Sequence, residues 1–316
     1  MSTDNTTVDW QALERLRAAF LNGTAGTRDY WDQPRTLASY DATFAQRIGW
    51  KWDFVLADLA RRGWSPPHAE LLDWGCGTGI ATRAYLDHFG TSSVDAVRLI
   101  DRSPQAMRFA AQRVGERFPG LPVAQGRGEP RPAVVLLSHV LTELQPAQVD
   151  ALLEEITGAT AIVWVEPGTY ETSLALIAIR ERLRSLFNVV APCPHAGQCG
   201  ILAPGNESHW CHHFATPPAE VFTDSFWGRF AKLLEIDLRS LPVSYLVLDQ
   251  RPAPVVEPSA VRTLGRPREL KAEVRVMVCD ANGVADRSFS RRQYPSVWKD
   301  ARKDRIPSWW IPPGAD

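Results

Sequence analysis

The chain has 316 residues, 45% hydrophobic and 22% charged, with a formal net charge of −1. This length suits two domains, and the balance is that of a globular chain, which excludes disordered, collagenous and disulfide-scaffold classes. The near-zero charge excludes a polycation that coats nucleic acid with its whole surface.

The first ten residues carry Asp4 and Asp9 and no basic residue, unlike a secretory or transit segment. The longest aliphatic run, from Leu174 to Ile179, is far short of the roughly 20 residues that cross a bilayer. A cytoplasmic protein with no membrane contact, monomeric when free, is expected. In a reducing compartment Cys76, Cys193, Cys199, Cys211 and Cys279 read as thiols available to metal or catalysis, not as disulfides.

From Trp10 to Arg62 apolar residues recur at helical spacing, first Leu13, Leu16 and Phe20, then Trp50, Phe54 and Leu59. Gly63 and Pro66-Pro67 end that stretch. Apolar strands follow at 70–74, 97–101, 134–138 and 161–166, with helices from Ile80, behind Ser103-Pro104 and over 146–156. Strands alternating with helices predict an α/β fold, a doubly wound parallel sheet covered on both faces. A helix over 174–187 carries Arg180, Arg182 and Arg184. Between 191 and 215 periodicity gives way to Cys, His, Pro and Gly. A helix over 226–234 and strands at 244–248 and 274–279 complete the pattern.

Asp73-Trp74-Gly75-Cys76-Gly77-Thr78-Gly79 lies between a strand and a helix. Glycines let the backbone turn sharply and approach a ligand with no Cβ between them. Asp101 ends the next strand, where a carboxylate can accept ribose hydroxyls. Asp73, Gly75, Gly77, Gly79, Asp101 and Ser138 are therefore the expected cofactor residues. S-adenosylmethionine is the expected ligand, with NAD and an empty structural turn as the other readings. Cys76 reads as a small packing residue. Ser138, His139 and Glu143 stand where catalytic groups often sit, and His139 has the pKa range of a base. Packing over the cofactor or sheet is the plainer reading of that histidine. No Asn-Pro-Pro-Tyr motif is present, and no Pro-Cys nucleophile stands on the fourth strand.

Cys193-Pro194-His195 is followed by Cys199, by Trp210-Cys211-His212-His213, and much later by Cys279. Four thiolates suit tetrahedral zinc or a [4Fe–4S] cluster, and the spacings leave both open. His195, His212 and His213 are alternates or hydrogen-bonding neighbours. Cys279 would staple the C-terminal segment onto the Cys/His-rich stretch, so its loss should loosen the C-terminal half.

Between Arg262 and Arg305 twelve Lys/Arg face six Asp/Glu, a local excess of six that leaves the rest of the chain at −7. Cations with interleaved Tyr294 and Trp298 suit RNA, or else form a solvated basic face. Arg291, Arg292, Lys299 and Arg302 are the expected phosphate contacts.

Asp73 to Gly79 and Asp101 resemble the first motif and following acid of class I methyltransferases. Ser138-His139-Val140-Leu141-Thr142-Glu143-Leu144 and Val165-Glu166-Pro167-Gly168-Thr169, with the cysteines, resemble the methyltransferase-like assembly factors of the mitochondrial small ribosomal subunit and their bacterial relatives. Tyr170-Glu171-Thr172 and Arg131-Pro132-Ala133 depart from that family's pattern. The resemblance implies a class I methyltransferase fold, S-adenosylmethionine, and a [4Fe–4S] cluster on Cys193, Cys199, Cys211 and Cys279. It also implies small-subunit ribosomal RNA or a subunit precursor as partner. The expected blocks are a helical extension over 1–65, a cofactor-binding core over 66–190, a Cys/His-rich insert and end of the core sheet over 191–250, and a basic module over 251–316. The expected activity is ribosomal RNA methylation or ribosome assembly. The alternatives are a non-catalytic assembly factor that uses cofactor and cluster structurally, and a small-molecule methyltransferase with structural Zn2+.

Overall fold

The computed structural model describes residues 8–24, 29–31, 33–128 and 133–314. Asp4 of the acidic start and Arg131-Pro132 of the Arg131-Pro132-Ala133 departure lie outside the described residues. In chain order the elements are α1 (Trp10–Leu21), α2 (Pro34–Asp41), α3 (Phe44–Arg61), β1 (Ala69–Trp74), α4 (Ile80–Phe89), β2 (Val94–Ile100), α5 (Pro104–Arg117), β3 (Val123–Gln125), β4 (Ala133–Ser138), α6 (Pro146–Ile156) and β5 (Ala161–Pro167). They continue with α7 (Tyr170–Leu183), β6 (Asn188–Ala191), β7 (His213–Ala215), α8 (Ser225–Leu233), β8 (Leu241–Asp249), β9 (Val261–Thr263), β10 (Arg268–Glu269), β11 (Glu273–Asp280), β12 (Gly283–Ser290), α9 (Pro295–Ala301) and β13 (Trp309–Trp310). No described helix is long and apolar enough to cross a membrane.

The chain divides into two compact units. The first takes residues up to 57 with 65–165 and 215–241; the second takes 58–64, 166–214 and 242 onward.

In the first unit the strands run parallel in the order β3-β2-β1-β4-β5. β4 and the start of β5 are buried almost residue by residue, as strands covered on both faces must be. Chain order reverses between β1 and β4, and the crevice at the carboxyl ends of such strands is where doubly wound sheets take ligands. Local chemistry sets the boundaries. Ser103 caps α5 by accepting from Ala106 N, with Pro104 in the first turn. The long helical stretch of the sequence is three helices, α1 to α3. Trp10, Leu13, Leu16 and Leu37 pack with Phe226 and Phe230 of α8. At the end of α2 the buried Asp41 is gripped by both terminal nitrogens of Arg83 on α4 and by Arg113 Nε on α5. A buried carboxylate needs this pairing, and the pair fixes α2 to the sheet-covering helices.

In the second unit β6 and β8 are antiparallel, with Val189 opposite Leu248. A separate antiparallel sheet runs β10-β11-β9-β13, with β12 on β11. Val261, Val274, Val276, Val278, Phe289 and Val297 form its core. Two glycines are demanded by close backbone approach. A Cβ on Gly168 would stand 2.6 Å from Val243 N, and one on Gly200 would stand 2.7 Å from Gly283 Cα. The Glu-Pro-Gly-Thr motif thus has structural content: Gly168 admits the start of β8, and Thr169 caps α7 by accepting from Thr172 N.

Candidate functional site

In the first unit the carboxyl ends of β1, β2 and β4 open into a cavity of about 440 Å³, within the range of small-molecule sites. Gly75, Gly77 and Gly79 all have positive φ, at 72°, 50° and 75°. Gly75 N and Cys76 N donate to Ile100 O at 2.7 and 3.0 Å. A Cβ on Gly75 would stand 2.7 Å from Val140 Cγ1, whereas one on Gly77 would meet nothing within 4 Å. Gly77 therefore presents bare backbone to open space. Asp101 spans the loop: Oδ2 accepts from Gly77 N and Oδ1 from Ser103 N, both at 2.9 Å. Burial raises its carboxyl pKa despite those bonds.

Of the expected cofactor residues, Gly75, Gly77, Asp101 and Ser138 line the cavity. Asp73 and Gly79 are not on its wall. Asp73 is buried, and its Oδ2 accepts from Thr82 Oγ1 at 2.7 Å and Thr82 N at 3.3 Å, while Oδ1 has no hydrogen-bond partner. Burial pushes the Asp73 carboxyl up to about 6. The folded chain holds this proton more tightly than the unfolded chain, whose carboxyl titrates near ~3.9. This group's contribution to stability is therefore present at low pH and lost as pH rises from about 4 to about 6, a loss of up to roughly 3 kcal/mol. Chemical denaturation of the wild type and Asp73→Asn should show the wild type losing ground to the variant between pH 4 and pH 7. A constant gap between the two proteins would contradict this.

Ser138, His139 and Glu143 all line the cavity and are already engaged. Ser138 Oγ accepts from the buried Trp52 Nε1 at 2.9 Å. His139, at φ 57°, has Nε2 3.5 Å from Lys51 Nζ, and burial with the charges of Lys51 and Arg47 holds its pKa well below the usual value. It is neutral near pH 7. Glu143 accepts from Tyr30 OH at 2.9 Å and from Arg102 Nη2 at 3.1 Å. Sequence reasoning missed the aromatic wall of this cavity. Tyr30, Trp31 and Tyr40 line it, their rings 4.6 and 5.0 Å apart in succession, and the Arg102 guanidinium lies 5.1 Å from the Tyr30 ring centre. The signal was Tyr30-Trp31 interrupting the helical pattern.

In the second unit Cys193, Cys199 and Cys279 are buried, Cys211 is half-buried, and all four are free thiols. Cys199 and Cys279 share an apolar cluster against which Cys211 packs. Burial pushes Cys199 up to about 12 and raises Cys211 and Cys279; the nearness of Cys193 to each adds to all three shifts. The four thiols thus share one neighbourhood. Among the described residues no three Cys, His, Asp or Glu side chains form a group that could hold a metal ion.

Polar bonds hold this irregular stretch. Cys211 O accepts from Ser173 Oγ at 2.9 Å and Ser244 Oγ at 2.7 Å. Cys199 N donates to Glu181 Oε1 at 3.1 Å. Arg180 Nη2 donates to His195 O and Gly197 O at 3.0 and 2.9 Å. Of the three histidines, His213 Nε2 accepts from Arg262 Nε at 2.9 Å and stands 3.7 Å from Cys211 Sγ. His212 stacks on Trp210, and both His195 ring nitrogens are buried without a partner.

The basic end divides. Arg262, counted above with the basic surface, is 1% exposed and lies opposite Cys279 in the β9–β11 register. Arg291, Arg292, Lys299 and Arg302 are exposed. The Arg291 and Arg302 guanidiniums lie 4.7 and 4.6 Å from the Trp298 ring centre, and Arg302 pairs with Glu269 at 2.8 Å.

The chain is similar to solved structures of low identity. Magnesium protoporphyrin IX methyltransferase from Synechocystis PCC 6803 with bound SAM is 13% identical, at a TM-score of 0.39, over 77% of this chain and 98% of that one. The plantazolicin methyltransferase BpumL in complex with SAH is 13% identical, at 0.36, over 76% and 100%. The methyltransferase domain of bacterial CtHen1 is 14% identical, at 0.37, over 65% and 100%. No curated protein matches the chain. Residues 52–310 match the family model described as mitochondrial small ribosomal subunit Rsm22, and the chain belongs to that family.

Proposed function

We propose that the chain binds S-adenosylmethionine in the cavity of its first unit and acts on the small ribosomal subunit, methylating its RNA or assisting its assembly. The observation that carries this reading is the convergence of Gly75, Gly77 and Asp101 at the carboxyl ends of parallel strands, together with membership of the Rsm22 family. The residues fit the cofactor. Gly77 offers open backbone, Asp101 can accept from hydroxyls, and the aromatic wall suits a flat base. When bound, S-adenosylmethionine supplies an electrophilic methyl group. The chain's own groups would bind and orient it.

The same reading assigns Cys193, Cys199, Cys211 and Cys279 to a [4Fe–4S] cluster, with Zn2+ as the alternative. Buried guanidinium N–H groups left unpaired beside these thiols suit an anionic thiolate centre. A four-iron core holds its thiolates farther apart than one ion does, so the reading does not require three side chains to converge on a point. Residues 191–250 would then form the cluster-bearing insert, with residues 251–316 closing the site.

The engagement of Ser138, His139 and Glu143 with Trp52, Lys51, Tyr30 and Arg102 favours a second reading, an assembly factor that transfers no methyl group. Tritium transfer from labelled S-adenosylmethionine to small-subunit RNA or precursor particles separates the two. Incorporation is expected, and its absence from every particle would favour the scaffold.

Arg291, Arg292, Lys299 and Arg302 are the proposed phosphate contacts. Replacing all four with alanine should lower the slope of log affinity against log salt by about 3 for single-stranded small-subunit RNA. An unchanged slope would remove them from the interface.

A further inference from the structure

The second unit contains two buried arginines that its packing leaves incompletely satisfied. Arg180 of α7 is 2% exposed and Arg262 of β9 is 1% exposed. Each bonds backbone of the cysteine-bearing stretch and side chains that pack against it. Arg180 Nη2 bonds His195 O and Gly197 O, inside the Cys193–Cys199 loop, and Nη1 bonds Glu181, which accepts from Cys199 N. Arg262 Nη1 bonds Pro192 O at 3.0 Å, one residue before Cys193, and Tyr245 OH at 3.2 Å. Its Nε bonds His213, two residues after Cys211, and its own backbone faces Cys279. Together the two side chains touch the segments of Cys193, Cys199 and Cys211, and the Arg262 backbone meets Cys279.

One nitrogen on each is left without a partner. Arg180 Nε and Arg262 Nη2 are buried with no hydrogen-bond partner. An orphaned donor on a buried cation is costly and calls for an acceptor. Thiols lie beside both side chains: Arg180 faces Cys193, and Arg262 faces Cys211. The neighbouring carboxylates already have partners: Asp58 pairs with Arg62 at 2.7 Å, and Glu181 is shared between Arg180 and Arg184, the latter at 2.9 Å. What remains to meet a centre of several thiolates is the unpaired nitrogen of each arginine.

We infer that Arg180 and Arg262 are positioning residues for the four-cysteine centre, each donating its unpaired N–H to a ligand thiolate, Arg180 to Cys193 and Arg262 to Cys211. This rests on the assignment of a cluster to those cysteines. Hydrogen bonds to sulfur and local positive charge stabilise a thiolate-bound cluster and favour its reduced form.

The test uses the full chain purified without oxygen, as wild type, Arg180→Gln, Arg262→Gln, Arg180→Lys and Arg262→Lys. Iron content, iron retention against a chelator and the midpoint reduction potential are read for each, with circular dichroism confirming the fold. Each glutamine variant should lose iron to the chelator about 10- to 100-fold faster than the wild type, at a more negative potential. The lysine variants should restore much of the potential, which follows charge, but less of the retention, which follows the fork of N–H groups. Iron-loaded wild type with unchanged retention and potential in both glutamine variants overturns the inference and leaves the cluster assignment standing. Wild type that carries no iron overturns the cluster assignment itself, and the inference with it. If both glutamine variants fail to fold, the lysine variants decide: retention equal to wild type in both overturns the inference.

Discussion

Gly75→Ala is expected to weaken S-adenosylmethionine binding about a hundredfold, the scale on which a misplacement of about 1 Å is felt in a preorganised site. The residue sits at φ 72°, a region that costs an L-residue about 1–2 kcal/mol. Its new Cβ would stand 2.7 Å from Val140 Cγ1, so the loop or Val140 must shift. Both line the cavity. Gly75 N also donates to Ile100 O at 2.7 Å, which ties the loop to the strand end that leads into Asp101. A shift of the loop therefore strains the Gly77–Asp101 bond as well. The sheet beneath has its own buried strands, and the thermal midpoint should drop by only a few degrees, in line with about 1–2 kcal/mol. Calorimetric titration of the cofactor into both proteins, with a melting curve for each, separates the two effects. Unchanged affinity would show that this loop is not the ligand's cradle.

Cys279→Ser should have the larger effect on the second unit. Cys279 lies on β11, opposite Arg262 of β9 and Val284 of β12. The Cys199 segment meets the same hairpin through Gly200 at Gly283. If the four thiols hold a cluster, losing one removes binding energy that also orders the loop, and most of the iron should be lost. The C-terminal sheet keeps its own core of Val274, Val276, Val278 and Phe289. The damage should therefore concentrate on residues 193–212 rather than spread over the whole C-terminal half. Limited proteolysis followed by mass spectrometry is expected to show cleavage there at least about tenfold faster, with β11 and β12 still protected. A digestion pattern identical to wild type would mean that Cys279 staples nothing.

Much of the first unit was legible in the sequence because its signals are local. Apolar runs bounded by turn residues mark β1, β4 and β5, Ser103-Pro104 marks the start of α5, and three glycines after Asp73 mark the loop. The positive φ at each glycine is the physical reason those residues stand there. What stayed hidden depends on tertiary contact. Tyr30, Trp31 and Tyr40 are ordinary aromatics until the chain folds them against the glycine loop. β12 has a single buried residue, Phe289, and carries little hydrophobic alternation, and β9, β10 and β13 are too short to show a period. Asp73 looked like a ligand-facing acid and instead pins the start of α4 through Thr82.

The four cysteines were legible as a group, but the framework around them was not. An arginine on a helix or in a basic segment reads as solvated, since charged residues are rarely buried without a partner. Arg180 and Arg262 are buried because carbonyls of the cysteine-bearing loop and the ring of His213 face them. The loop, poor in apolar residues, is held by these bonds and by Ser173, Ser244 and Glu181. Pattern reading has no rule for a loop ordered by buried polar clamps, because each clamp joins positions distant in sequence.

The proposed function gives one chain of the Rsm22 family both a cofactor cavity and an iron–sulfur centre. Anaerobic purification of the full chain, followed by an absorption spectrum and elemental iron and zinc, tests it most directly. About four iron atoms per chain with a broad visible absorption band is the predicted result. Colourless protein with about one zinc and no iron would contradict it, and would leave a zinc-stapled second unit beside a cofactor-binding first one.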